Sequence, residues 1–318
     1  RLAWDRAHAG PAEAPADPDR LGALEGARAF REAEALVARG EWDAAREAYL
    51  SAGAASSSHP FAASRLLSLL SVEEGFHDEA LDLSAHWLSR RPDFAPALLC
   101  EGVLRARRGA RDRAARAFAE LSASSARRGE ELGALFAADA CFALGPDSDV
   151  PALSRAVEVA LSLRRDHLPA LRALQALADR TGDREALLRA SRRLAAYAPD
   201  EAEKAAAHAR LAEMLLQADP PSARLHLGQA LRLAPDDAGA LSALARACEL
   251  AGEWLRAARA HDRLRELHLA RGDAEAAARA ALSVGALWEE RLGHPENALL
   301  RYREACELWG ASGEARER

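Results

Sequence analysis

The chain has 318 residues, of which 49% are hydrophobic, 29% charged and 5% aromatic, and its formal net charge is -6. That length is ample for a large buried core, and the dominance of Ala, Leu, Arg and Glu over β-branched residues excludes a strand-rich fold and predicts an all-α one. The mildly acidic balance gives no global signal for nucleic acid or an anionic membrane, and no run of apolar residues is long enough to span a bilayer.

Lys204 is the only lysine, so nearly all positive charge is arginine, a bias that fits a GC-rich bacterial genome. Cys100, Cys141, Cys248 and Cys306 form no CxxC pair and fall inside predicted helices on or beside apolar stripes. They read as reduced structural thiols, which points to a cytoplasmic location.

Residues 1–20 carry Pro11, Pro15 and Pro18 among alanines and charges, and are expected to form an extended linker. Its composition and the absence of an initial methionine leave open that the chain is a regulatory module of a larger multidomain protein. From Leu21 to Arg318 a helical period sets in. A small or apolar residue opens every second helix: Ala45, Ala80, Ala114, Leu153, Leu187, Ala223, Ala257 and Ala298, at successive intervals of 35, 34, 39, 34, 36, 34 and 41 residues. Five residues before these anchors stand Gly40, Gly75, Gly109, Gly182, Gly252 and Gly293, where a tight turn between helices calls for positive φ. Twelve residues after them stand Pro92, Pro199 and Pro235, which stop the second helix. Each unit is therefore a helical hairpin, and about eight of them follow one another. The segment Gly145 to Pro151 lengthens one turn, and the last interval implies longer helices on either side of Gly272.

In this phasing the chain resembles the tetratricopeptide repeat (TPR) family over about residues 26 to 310, through the 34-residue recurrence, the AGEW segment from Ala251 to Trp254 and the small residues Ala33, Gly102, Ala138, Ala245 and Gly285 in first helices. The resemblance implies a right-handed α-solenoid superhelix of stacked hairpins with a concave groove lined by first helices. It implies that a protein or peptide partner docks there, against Phe30, Glu34, Arg65, Leu69, Leu99, Val103, Leu135, Asp139, Phe142 and Arg172. A groove of that kind suits a peptide or helix held by aliphatic anchors. The asparagines and lysines with which some members clamp a chaperone's C-terminal carboxylate are missing, since Asn297 is the only asparagine and lies in a late turn.

No HExxH, Cys/His cluster or phosphate-cradling glycine loop occurs, so neither a catalytic site nor a metal or other cofactor is expected. A basic segment remains: ten arginines against four acids lie between Arg90 and Arg128, among them Arg105, Arg107, Arg108, Arg111, Arg113 and Arg116. It could attract nucleic acid or an acidic partner, although no aromatic platform interleaves with it and that weighs against nucleic acid. Trp309, on the last helix, is expected on an exposed face and could mediate self-association near the C-terminal end. The sequence as a whole reads as a non-catalytic protein-interaction scaffold.

Overall fold

The computed structural model describes residues 18–55, 60–72 and 74–316. Among these, sixteen α-helices and one short 3-10 turn account for the regular structure. The chain divides into two compact units, residues 1–159 and 160–318. The helices of the first are α1 (Pro18–Arg39), α2 (Trp42–Ala55), α3 (Pro60–Leu70), α4 (His77–Arg90), α5 (Ala95–Arg107), α6 (Arg111–Arg127) and α7 (Glu131–Ala143), and the division falls within α8 (Val150–Leu163). The second contains α9 (Leu168–Thr181), α10 (Arg184–Tyr197), α11 (Glu201–Leu215), α12 (Pro220–Leu233), α13 (Ala238–Leu250), α14 (Trp254–Ala270), α15 (Ala274–Glu290) and α16 (Pro295–Arg316). Odd and even helices pair into hairpins, as expected. The first helix begins at Pro18, inside the stretch expected to be linker, and proline is well suited to a first helical position. Residues 1–17, with Trp4, lie outside the described residues.

The anchors that set the sequence phase have a definite backbone role. The amide of each of Ala45, Ala114, Leu153, Leu187, Ala223, Ala257 and Ala298 donates to the carbonyl four residues earlier, the N-terminal residue of that second helix or the one before it, at 3.0–3.2 Å. Ala45, Ala80, Ala114, Ala223, Ala257 and Ala298 are at most 1% exposed, and Leu153 is buried; Leu187 is half-buried, its neighbour Ala186 taking the interior place.

The turns follow from glycine. Gly40, Gly109, Gly182, Gly252 and Gly293 have φ between 70° and 77°. At Gly40 the amide donates to Val37 and that of Glu41 to Leu36, each at 3.0 Å, which satisfies two terminal carbonyls of α1. Gly75 is the exception, since it sits in the 3-10 turn Glu74–Phe76 and needs no positive φ. The same glycine turn also joins hairpin to hairpin at Gly129 and Gly272. Six residues separate α7 from α8, the lengthened turn expected there, and Asp149 caps α8 by accepting from the Ala152 amide at 3.0 Å. In the second unit Asp183, Asp200, Asp219, Asp237 and Asp273 cap α10, α11, α12, α13 and α15 in the same way. Each such cap contributes about 1 kcal/mol. The last interval is long because α14 and α15 have 17 residues each.

In the α5–α6 and α15–α16 hairpins the two helices cross over a glycine. An added Cβ at Gly102 of α5 would lie 2.6 Å from the Phe118 ring of α6, and one at Gly285 of α15 would lie 2.5 Å from the Tyr302 ring of α16. Ala33, Ala138 and Ala245 are fully buried at the corresponding places. Between hairpins, apolar side chains join into continuous clusters. One runs from Ala33 and Tyr49 through Leu67 and Trp87 to Leu104, with Trp87 and Phe94 stacked at 4.9 Å. Cys100, Cys141 and Cys248 are buried, and burial pushes the thiols of Cys141 and Cys248 up to about 12 and about 11. Cys306 departs from the expected pattern, being exposed on α16.

Between α11 and α12 the Nδ1 atoms of His208 and His226 stand 3.1 Å apart, with the rings stacked at 5.4 Å. Only one of the two nitrogens can hold a proton in that contact. Burial lowers both pKa values, assisted at His208 by His226 and Arg232 and at His226 by Arg192.

Two outcomes follow for stability. Gly102→Ala should cost about 1–3 kcal/mol by overpacking against Phe118. Gly228→Ala on α12, where an added Cβ meets nothing within 4 Å, should instead stabilise by up to about 1 kcal/mol. Urea denaturation midpoints measure both, and equal shifts would refute the crossing argument. For the histidine pair, an unfolded chain takes up protons at about pH 6.5 while the folded one resists them, so stability falls as pH drops through that value. The unfolding temperature should decrease between about pH 7.5 and about pH 5.5, and His208→Gln should flatten the slope.

Candidate partner-binding surface

The residues expected to line a first-helix groove divide into three groups. Glu34, Arg65 and Arg172 act as braces between successive first helices. Arg65 of α3 donates to both Glu34 oxygens of α1 at 3.0 and 3.2 Å, and the Tyr49 hydroxyl donates to the same carboxylate at 2.6 Å. Burial raises the Glu34 pKa, but the bonds from Tyr49 and Arg65 outweigh it and hold the carboxyl below its ordinary value. Arg172 of α9 grips Glu203 of α11 in the same bidentate way, at 2.6 and 2.8 Å. These charges neutralise one another, and an incoming segment would compete with an existing partner for each.

A second group faces the interior. Phe30 is half-buried, its ring centre 5.8 Å from that of Tyr49. Leu69 lies beside Trp42, Arg46 and Phe76, with the Arg46 guanidinium 4.5 Å from the Phe76 ring centre. Leu135 is only 6% exposed, and Asp139 and Phe142 are half-buried.

The third group is open to solvent. Leu98 of α5 and Ala137 of α7 meet in one buried cluster with Leu121. First helices of successive hairpins run in the same direction, so a residue just after the contact on α5 and one just before it on α7 emerge on one side. Those residues are Leu99, 39% exposed, and Phe136, 64% exposed. One turn later on α5 stands half-buried Val103, and one turn earlier on α7 stands Leu132, 76% exposed, so the two extend the pair diagonally at opposite ends. The four form an apolar strip across α5 and α7. Leu135 and Phe142 fall on the face of α7 turned away from α5, which is why Leu135 is buried where its counterpart Leu99 is open. Leu132 and Phe136 escaped the sequence reading, yet α7, ELGALFAADACFA, is apolar all round, and such a helix has large side chains to spare for solvent.

The basic segment is largely consumed by structure. Arg105 lies 3.9 Å from Glu101, Arg107 donates to the Ser71 carbonyl at 3.2 Å, Arg108 pairs with Asp78 at 2.6 Å and Arg116 with Asp149 at 2.6 Å. Arg111 and Arg113 have no ion-pair partner among the described residues. Asp78 and Asp149 lie outside the segment, which explains why its local charge surplus is larger than its free charge. Among the described residues no group of three or more His, Cys, Asp or Glu is placed to hold a metal, and no helix is long and apolar enough to cross a membrane. Trp309 is 43% exposed on α16.

No protein-family model matches the chain, and no curated protein matches it. Among solved structures, the MamA protein aligns at 17% identity with a TM-score of 0.41, over 62% of this chain and 92% of that one. The TPR2AB domain of yeast Sti1, in its pHSP90 complex, aligns at 14% identity and a TM-score of 0.32, over 88% and 98%. The APC/C hetero-tetramer Cut9-Hcn1 aligns at 16% identity and a TM-score of 0.33, over 83% and 58%. The hairpin period, the small residues Ala33, Gly102, Ala138, Ala245 and Gly285 and the glycine turns give this chain, on its own geometry, an all-α fold of repeated TPR-like helical hairpins.

Proposed function

We propose that the chain is a non-catalytic protein-interaction scaffold, and that the apolar strip formed by Leu99, Val103, Leu132 and Phe136 is where a partner peptide or helix docks. The observation that carries the reading is the exposure of Leu132 and Phe136, at 76% and 64%, on a first helix whose other large apolar side chains are partly or fully buried. Two large apolar side chains one turn apart match the spacing at which an amphipathic helix presents its own anchors. The neighbouring charges are already paired, which favours an apolar partner segment over an ionic one.

Affinity capture from cell extract tests this with Leu132→Glu and Phe136→Glu combined, beside Leu99→Glu and Val103→Glu combined. Anchors of this kind contribute about 2 kcal/mol or more each. Both variants should therefore lose the proteins that the wild type retains, with unchanged helicity and unfolding temperature. Identical captured sets from folded variants would remove the strip from consideration.

A further inference from the structure

A second surface lies in the other unit and on other helices. Between α12 and α14, over α13, there is a groove of about 520 Å³. Its rim carries four guanidinium groups, Arg224 from α12 and Arg256, Arg259 and Arg263 from α14. Its floor is aliphatic, made by Leu231, Leu241 and Leu244, with Leu225 standing 66% exposed at the edge. Gly228 opens the α12 wall, since an added Cβ there would meet nothing within 4 Å. The floor residues of α13 lie on the opposite side of that helix from Ser242 and Arg246, so this groove is separate from the face of α13 that carries those two residues.

The charge is one-sided. Glu253 is the one carboxylate bound to the rim, accepting from Arg224 at 2.5 and 2.6 Å and from Arg256 at 2.8 Å. Arg263 donates to the Pro235 carbonyl at 3.1 Å, which leaves its charge uncompensated, and Arg259 has no hydrogen-bond or ion-pair partner among the described residues. Arg256, Arg259 and Arg263 fall at i, i+3 and i+7 on one stripe of α14, spanning about 10 Å. Asp262 and Arg265, on another face of the same helix, are engaged instead with Arg301 and Glu304 of α16.

We propose that this groove binds an acidic, amphipathic helical segment of a partner protein. Carboxylates spaced i, i+3 or i+4 and i+7 on such a segment match the arginine stripe, and an adjacent aliphatic side chain fills the leucine floor. Arginine is the residue best suited to hold a carboxylate bidentately. A groove open along one side does not enclose a small molecule. Nucleic acid would leave the leucine floor unfilled, and no lining residue is aromatic, so bases would have nothing to stack on.

The probe is a fluorescein-labelled helical peptide with a glutamate stripe beside a leucine stripe, titrated by anisotropy against the full chain. Saturable binding that weakens as salt rises is expected. Arg259→Glu should weaken it by about tenfold or more and Arg259→Gln by a smaller factor, since each tenfold step corresponds to a single lost charge-assisted contact. Both substitutions fall on an exposed, unpartnered side chain, and unchanged thermal unfolding shows that the fold is kept. The combined Leu132→Glu and Phe136→Glu variant should bind the peptide as wild type does, which separates this site from the apolar strip. The proposal is overturned by no binding at low salt, by equal binding to Arg259→Glu, by equal binding of a lysine-for-glutamate peptide, or by tighter binding of single-stranded DNA. Self-association of the chain that Arg259→Glu abolishes would also overturn it, by assigning the groove to a second copy.

Discussion

Everything in this chain depends on how closely the two helices of a hairpin approach. Two helices of ordinary side chains pack about 8–10 Å apart, and the shorter end of that range needs a small residue at the crossing. Gly102 and Gly285 provide it against the rings of Phe118 and Tyr302. The aromatic sits four residues beyond the anchor that opens the second helix, as does Tyr49 in the first hairpin, so anchor and ring lie on the same stripe. The anchor fixes where the second helix starts, and the ring fixes where it crosses. Once both are set, the remaining apolar residues of the hairpin can reach only the next hairpin, which is why the buried clusters run from one repeat to the next.

Arginine makes a second set of connections at the same period. Pairs such as Arg65 with Glu34, Arg155 with Glu120, Arg172 with Glu203 and Arg301 with Asp262 join residues 31 to 39 positions apart, one repeat away. Others, such as Arg128 to Asp93 and Arg271 to Asp236, end on a backbone carbonyl of the preceding repeat. Each surface pair contributes about 1 kcal/mol or less. Their larger effect is on what is left over. The abundance of arginine does not by itself explain why so many arginines find a partner one period away. A long planar cation with five donors can span the gap between neighbouring hairpins, and it does so wherever a carboxylate or a helix-terminal carbonyl lies opposite. Arg259 is among the arginines that this bracing leaves unpaired.

The period was legible because it is written in residues that have no substitute: glycine at a turn with positive φ, alanine or glycine at a crossing, proline past a helix end. Phasing the sequence on Ala45, Ala114 and Ala223 located the first backbone hydrogen bond of their helices without any coordinates. Gly75 shows the limit, since a glycine can occupy the expected place while the chain takes a 3-10 turn instead. The surface was less legible. Leu99 and Leu135 occupy the same position in successive first helices, yet one is open and the other buried, because α7 is apolar on every side and its rotation is chosen by packing rather than by a hydrophobic stripe. The grouping of Arg224 with Arg256, Arg259 and Arg263 was likewise hidden, because it combines two helices that sequence alone cannot bring to a measured separation.

A repeat array solves its core with one local rule, so residues outside that rule are free to differ from repeat to repeat. The two candidate surfaces are departures of that kind, and they are chemically opposite. One is made of large apolar side chains on first helices, with adjacent charges braced away; the other is made of arginines on second helices over an aliphatic floor. An apolar strip gains its free energy from water released over buried area and is nearly indifferent to salt, whereas an arginine rim acts at longer range and is screened within about 10 Å at 0.1 M salt. A single extended partner could satisfy both only if its own sequence changed character along its length. Two surfaces of unlike chemistry, one in each compact unit, are better matched to two different partner segments than to one.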